Sequence, residues 1–244
     1  MSKKVLLTVD DGPSDNTMAL VDHLMQREIT AVMFFLGRCM EAYPHAVDYA
    51  IQRGTVIGNH SYSHAAFSQI SYEQGIIEIE RTEKLIVDAY KRNGVERQAK
   101  IFRFPYTDQG GNNFARFQEY LIHNQFEHLD TNFVNYEWFS NSATKNHIDI
   151  GVTFACWDWE LWSSCHFKLA DLRQNLRKNV EPSMGSFTEG ASGEVLVIHD
   201  SNWRGEQGEF HFDIILEELE RMNVQFVKPV PSRPTLSQML ETTV

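Results

Sequence analysis

The stretch Val5-Leu6-Leu7-Thr8-Val9-Asp10-Asp11-Gly12-Pro13-Ser14 constrains this chain more than any other. An apolar run without alternation reads as a strand buried on both faces, as in parallel sheets. Gly12-Pro13 forces a turn directly after it. Two adjacent carboxylates therefore stand at the C-terminal end of a buried strand, where parallel α/β folds keep their chemistry. Neighbouring side chains diverge, so one acid can hold a metal while the other moves a proton. A solvated turn uses the same residues, and the stretch alone leaves both readings open.

Further along, apolar runs at 31–36, 55–58, 100–104, 151–156, 194–198 and 224–227 read as strands. Between them lie helical patterns. One follows a cap at Ser14 or Asp15, and others span 43–52, 113–125, 169–180 and 210–222. The longest runs from a Ser71 cap to Asn93, where Gly94 stops it, and a short terminal helix is expected at 236–241. The segment from Glu127 to Asn146, rich in Asn and aromatics, has no clean period. It reads as a strand plus an excursion over the mouth of the sheet. Strand-helix alternation means a parallel sheet in an α/β fold, because each helix is a crossover. A barrel and an open doubly wound sheet both give this pattern. A length of 244 residues suits a single domain over 1–244.

The net charge of -11 argues against a phosphate-backbone ligand, so no nucleic acid is expected. Cys39, Cys156 and Cys165 show no C-x-x-C spacing, which fits a reducing compartment without disulfides. No signal peptide or membrane-spanning run is seen, so a whole chain of this sequence is expected in the cytoplasm. An excised catalytic domain would read the same way.

The ionisable residues gather where strands end. Asp10 and Asp11 follow the first strand, and His60 and His64 the third. Arg103 ends the fourth, Asp158 ends a later one, and His199 and Asp200 end the next. Parallel strands present these ends to one rim, so the residues should converge. His60 and His64, just after a strand, fit a tight turn or a first helical turn. Two imidazoles and one carboxylate make a three-ligand site with open positions, which is the catalytic arrangement; two surface histidines are the plain alternative. Arg103, among Phe102, Phe104 and Tyr106, needs a carboxylate partner if buried. Trp157, Trp159 and Trp162 read either as core or as a substrate platform.

These residues resemble the polysaccharide deacetylases of the NodB-homology type, carbohydrate esterase family four. Five motifs stand in family order: Thr8 to Pro13, His60 to His64, Arg103 to Tyr106, Asp158 to Trp162 in part, and Leu196 to Asp200. The resemblance implies a distorted (β/α)7-type barrel and one divalent metal, usually zinc. It implies Asp11, His60 and His64 as ligands, Asp10 as general base held by Arg103, and His199 as general acid. The Tyr106 backbone N–H would help form an oxyanion hole, Leu196 would line an acetyl pocket, and Trp162 would belong to the substrate site. The substrate would be an N- or O-acetylated sugar polymer or oligomer.

The fourth motif departs from the family's Asp-x-x-Asp-Trp. In one register Leu161 stands where the second Asp belongs. In the other, Asp158-Trp159 is the Asp-Trp pair and Ala155 replaces the first Asp. One supporting carboxylate is missing either way, with Asp158 or Glu160 as its replacement. Two other readings remain. One is a hydrolase of the same fold acting on a small non-sugar amide or ureide. The other is a carbohydrate-binding protein with impaired catalysis.

Overall fold

The computed structural model describes residues 2–140, 147–163, 166, 168–177, 184–200, 203 and 211–232. The terminal helix expected at 236–241 lies outside them. Strand β1 (Lys4–Gly12) is the centre of a parallel sheet with β2 (Val32–Phe35), β3 (Val56–Asn59), β5 (Phe154–Ala155) and β6 (Glu194–His199), in the order β3-β2-β1-β6-β5. β4 (His128–Leu129) lies apart, pairing antiparallel with β8 (Pro231–Ser232). β7 (Gln225–Phe226) pairs with the start of β1.

The two ends of this sheet meet. Phe102 bridges to Asn59 in parallel at the β3 edge. Ile150 N–H donates to the Phe102 carbonyl at 3.3 Å, and Thr153 N–H donates to the Val195 carbonyl at 3.0 Å. The 150–155 segment therefore bonds to both edges and curls the sheet into a distorted barrel. The fold is α/β with parallel strands, as expected. The 100–104 run contributes one bridge rather than a full strand, because Pro105 removes a donor and turns the chain.

β1 is buried on both faces, as its unbroken apolar run requires. Val5, Leu7 and Val9 join the outer core beneath the helices, with Met33, Ile57, Leu196 and Ile198. Leu6 points the other way, into the barrel, with Val32, Phe34, Val56, Ile101 and Val195. The helices α1 (Thr17–Gln26), α2 (Gly37–Ala42), α3 (Pro44–Gln52), α4 (Tyr72–Asn93) and α5 (Phe114–His123) follow. α4 is closed at both ends as its sequence predicts: Ser71 Oγ accepts from Gln74 N–H at 3.1 Å, and Gly94 stands at φ 63°. α1 differs. Its N-cap is Asn16, because Ser14 turns its hydroxyl to Asp200 at 2.9 Å.

The 127–146 excursion is not over the mouth. Leu129, Val134 and Phe139 are buried in the barrel-interior cluster, and Phe133, Tyr136 and Trp138 pack against it. The Phe133 carbonyl accepts from Gly193 N–H at 2.9 Å, and Tyr136 OH bonds Glu194 at the start of β6. These aromatic rings plug the end where the strands begin, because that is where apolar interior residues would otherwise face water. Residues 141–146 of this segment lie outside the described set. Among the described residues no helix is long and apolar enough to cross a membrane.

Candidate metal centre and its rim

The two adjacent aspartates part company at the end of β1. Asp10, 6% exposed, is on the interior face with Leu6 and Thr8. Its Oδ1 accepts from Arg103 Nη1 at 2.7 Å. Asp11 takes a left-handed conformation, φ 68°, which aims its carboxylate elsewhere. Gly12 then passes so close to the neighbouring strand ends that a Cβ would lie 2.4 Å from Asp200 Oδ2 and 2.8 Å from Phe35.

Asp11 Oδ1 lies 3.1 Å from His64 Nε2 and 3.5 Å from His60 Nε2. Neither contact is aligned as a hydrogen bond, and Oδ1 is buried without a donor. His60 is fully committed on its other side, where Nδ1–H donates to the Arg103 carbonyl at 2.8 Å. That bond leaves Nε2 as the lone-pair nitrogen of the neutral ring, aimed at Asp11. Burial resists charge at Asp11, but the two imidazoles hold its carboxyl well below the usual carboxylate range. Burial likewise resists charge on His60, yet Asp10 and Asp11 draw its pKa above the ordinary value. Both directions express one demand, for positive charge among these three groups.

A divalent cation meets that demand. Asp11, His60 and His64 offer ligand atoms all within 4.8 Å of one another. Tetrahedral bonds of about 2.0–2.2 Å put ligand atoms roughly 3.3–3.6 Å apart, close to the 3.5 and 3.1 Å from Asp11 to the two imidazoles. The mixed imidazole and carboxylate set suits zinc. His60 and His64 reach this position through a tight turn, not a helix, with Ser61 at φ 67° and His64 at φ 65°.

Arg103 lies in the barrel's interior and is 1% exposed. Besides Asp10, Nη1 donates to Thr8 Oγ1 at 2.7 Å, and Nε donates to the Ile150 carbonyl at 2.8 Å. The guanidinium lies 4.4 Å from the centroid of the Phe34 ring. Nη2 is buried without a partner. Ala155 pairs with Val197, which pairs with Thr8, so position 155 is level with this guanidinium.

His199 is the register partner of Asp10 across β1 and β6, which sets it beside the cluster on the next strand. Asp158, fully buried, accepts from His199 N–H at 2.6 Å and faces its Nδ1 at 3.1 Å. Burial opposes charge on His199, but Asp158, with Asp11 and Asp10 behind it, raises its pKa to about 9. Asp158 thus favours the protonated ring.

These contacts favour the register in which Asp158-Trp159 is the Asp-Trp pair: Asp158 faces His199, and Ala155 is level with Arg103, whose Nη2 is left over. Leu161 packs against the outer core instead. Asp158 pairs with His199, while Arg103 pairs with Asp10.

Tyr106 stands at the rim, 68% exposed, edge-on to His64 with ring centroids 4.3 Å apart. His64, Ala66, Gln69, Tyr106 and Asp108 line an open depression there. Beside His199, Trp159 lies edge-on to its ring, centroids 5.4 Å apart, and stacks on Trp157. Trp162 sits in the helical turn Glu160–Ser163, and its side chain lies outside the described residues. Leu196 is not at the rim. It is fully buried in the outer core, on the opposite strand face from His199, because strand side chains alternate.

Sequence reasoning passed over Asp149 and the structural use of Asp200. Asp149, fully buried, accepts from Phe104 N–H at 3.3 Å and Gln109 Nε2 at 2.9 Å, bracing the Tyr106 turn. The irregular segment around it carried no periodic signal. Asp200 gathers the Ser14 and Thr17 hydroxyls beneath the Asp11 turn. Burial pushes its pKa up to about 6, against those two hydroxyl bonds. A raised carboxyl pKa means the folded protein keeps a proton the unfolded chain has lost. The stability this contributes is full below about pH 3.8 and lost as pH rises through about 6, a change of about 3 kcal/mol. The stability difference between the parent and Asp200→Asn in urea should drift by up to that amount between about pH 4 and pH 7. A pH-independent difference would reject this account of Asp200.

Comparison with known proteins agrees with this geometry. Residues 1–120 match the family model for polysaccharide deacetylase. Over that stretch, just under half of its length, the chain is similar to the polysaccharide deacetylases. That match contains Asp10, Asp11, His60, His64 and Arg103, while Asp158 and His199 lie beyond it. A peptidoglycan-N-acetylglucosamine deacetylase of Bacillus cereus is 36% identical over 84 residues, covering 34% of this chain and 30% of that protein. Chitin deacetylase 1 of Saccharomyces cerevisiae is 36% identical over 103 residues, 42% of this chain and 32% of that protein. The matched stretch thus spans about a third of the length of these relatives.

The whole fold is shared more widely. A solved peptidoglycan N-acetylglucosamine deacetylase superposes with a TM-score of 0.64 at 20% identity, covering 93% of this chain and 86% of that one. A carbohydrate esterase family four pseudoenzyme from Bacillus anthracis superposes at 0.63 and 15% identity, covering 92% of this chain and 63% of that one. A name containing deacetylase and one containing pseudoenzyme on the same fold show that the fold alone does not decide activity.

Proposed function

We propose that this chain is a metal-dependent hydrolase that removes acetyl groups from acetylated carbohydrates. The unequal division of the two aspartates carries the reading: Asp11 faces two imidazoles, and Asp10 faces Arg103. Asp11, His60 and His64 would hold a divalent ion, for which zinc is the best match to the donors. When bound there, such an ion polarises the acyl oxygen and makes water more acidic.

The remaining roles belong to the chain's own groups. Asp10 accepts the proton of the attacking water, its carboxylate held in one orientation by Arg103. His199 stands on the neighbouring strand, its protonated form favoured by Asp158, and gives its proton to the departing sugar nitrogen or oxygen. Asp158 holds the ring so that Nε2 is the donating atom. The Tyr106 turn, braced by Asp149, would supply the backbone N–H that stabilises the acyl oxygen. Tyr106, against His64, and Trp159, against His199, offer apolar ring faces suited to a sugar.

Acetate release from acetylated chito-oligosaccharides and acetylated xylan tests this directly, with a small non-sugar N-acetyl amide alongside. Release from at least one carbohydrate is expected, abolished by a chelator and restored by zinc. Release from the small amide alone would move the substrate to the non-sugar class. No release from any of them by metal-loaded protein would defeat the assignment.

A further inference from the structure

A carboxylate outside all five motifs grips the turn that carries both imidazoles. Glu78 comes from the second turn of α4 and is 6% exposed. Its Oε2 accepts from the backbone N–H groups of Tyr62 at 3.0 Å and Ser63 at 2.6 Å. Its Oε1 accepts from Ser63 Oγ at 3.0 Å. Every one of these donors lies between His60 and His64.

The other amides of the turn are also engaged. Ser61 N–H donates to Asn59 Oδ1 at 3.0 Å, and His64 N–H donates to Ser61 Oγ at 3.2 Å. Two carbonyls are taken as well, Ser61 by Gly37 N–H at 3.0 Å and Tyr62 by Arg38 N–H at 3.1 Å. The turn needs this restraint. Ser61 and His64 both have positive φ, which costs about 1–3 kcal/mol each and persists only where the surroundings enforce it. Two consecutive amides converging on one anion form a backbone nest, and Glu78 fills it.

The charge of Glu78 calls for its own explanation. Among the described residues it forms no ion pair with Lys, Arg or His, and burying an anion without a cation is costly. A glutamine of the same shape would fill the space with less cost. The nearest feature asking for positive charge is the Asp11, His60 and His64 cluster, one residue beyond the bonds that Glu78 makes.

We propose that Glu78 is a positioning residue of the cation site, fixing the separation of the two imidazoles and adding negative charge behind them. This rests on the metal reading above. It names a group on a helix that the motif pattern does not reach.

Zinc affinity of the full chain, by competition with a chromophoric chelator, is the first measurement. The visible spectrum of the cobalt-substituted protein, which reports ligand geometry, is the second. Glu78→Gln is expected to weaken zinc by about 10- to 100-fold and to alter the cobalt spectrum. Glu78→Asp, which keeps the charge, should recover part of the affinity. Unchanged affinity and spectrum in Glu78→Gln would overturn the proposal, whatever happens to its melting temperature. Should Glu78→Gln not fold, Ser63→Ala removes only the hydroxyl bond to Oε1. A severalfold loss of zinc affinity there supports the proposal, and no loss overturns it. A parent chain that binds no zinc would instead remove the metal reading itself.

Discussion

Asp10→Asn is expected to lower acetate release by about 10²- to 10⁴-fold while the protein keeps its zinc. The asparagine oxygen can still accept from Arg103 Nη1, so the side chain should stay where the carboxylate was. It cannot take a proton from water at neutral pH, so the general base is lost. The ligand cluster of Asp11, His60 and His64 is untouched by the change. Two measurements on one preparation settle the matter, acetate production and zinc content. If zinc is lost together with activity, the two aspartates have been assigned the wrong way round. If activity survives with zinc in place, another group abstracts the proton.

Arg103→Met should cost the fold about 3–5 kcal/mol, because the substitution leaves Asp10 as a buried charge without its partner. More than a single ion pair is at stake. Arg103 joins β1 through Asp10 and Thr8 to the carbonyl of Ile150, whose amide closes the barrel against Phe102. The guanidinium is thus a cross-brace through the barrel's interior. Arg103→Lys should rescue little, since one ammonium cannot reach Asp10, Thr8 and Ile150 in their fixed directions. Urea denaturation gives the number. A loss below about 1 kcal/mol in the methionine variant, the range of an exposed pair, would show that the brace carries no load.

The same substitution bears on activity through a different route. Without Arg103 the Asp10 carboxylate has no fixed orientation, and His60 Nε2 lies 3.8 Å away in the ligand cluster. Asp10 would then turn toward the ligand cluster and compete for the cation. Activity should fall further than the loss of folding stability explains.

Much of the candidate site was legible before any coordinates. β1 could be read as doubly buried because its apolar residues do not alternate, and a parallel sheet follows from such strands. Strand C-termini in such a sheet share one rim, so Asp11, His60, His64, Arg103 and His199 could be gathered without knowing any distance. Short apolar runs were less informative. The run at 100–104 reads as a strand, but a proline and a closing bond from Ile150 reduce it to one bridge. The aromatic excursion was assigned to the wrong end, since hydrophobicity says that rings will be buried but not against which layer.

The amino-acid sequence by itself determined the parallel α/β architecture and the residue types at the rim, because periodicity and turn chemistry are local properties of the chain. The resemblance already implied how the two aspartates are paired, and the tertiary structure supplied the means: one left-handed residue sets Asp10 on Arg103 and Asp11 on the imidazoles. Only the tertiary structure favoured Ala155 over Leu161 as the site of the missing acid, through strand register. It brought Glu78 from a helix fourteen residues beyond His64 to the back of the imidazole turn. Each of these depends on which backbone groups lie within hydrogen-bonding reach across the fold, and that reach is settled only when the barrel closes.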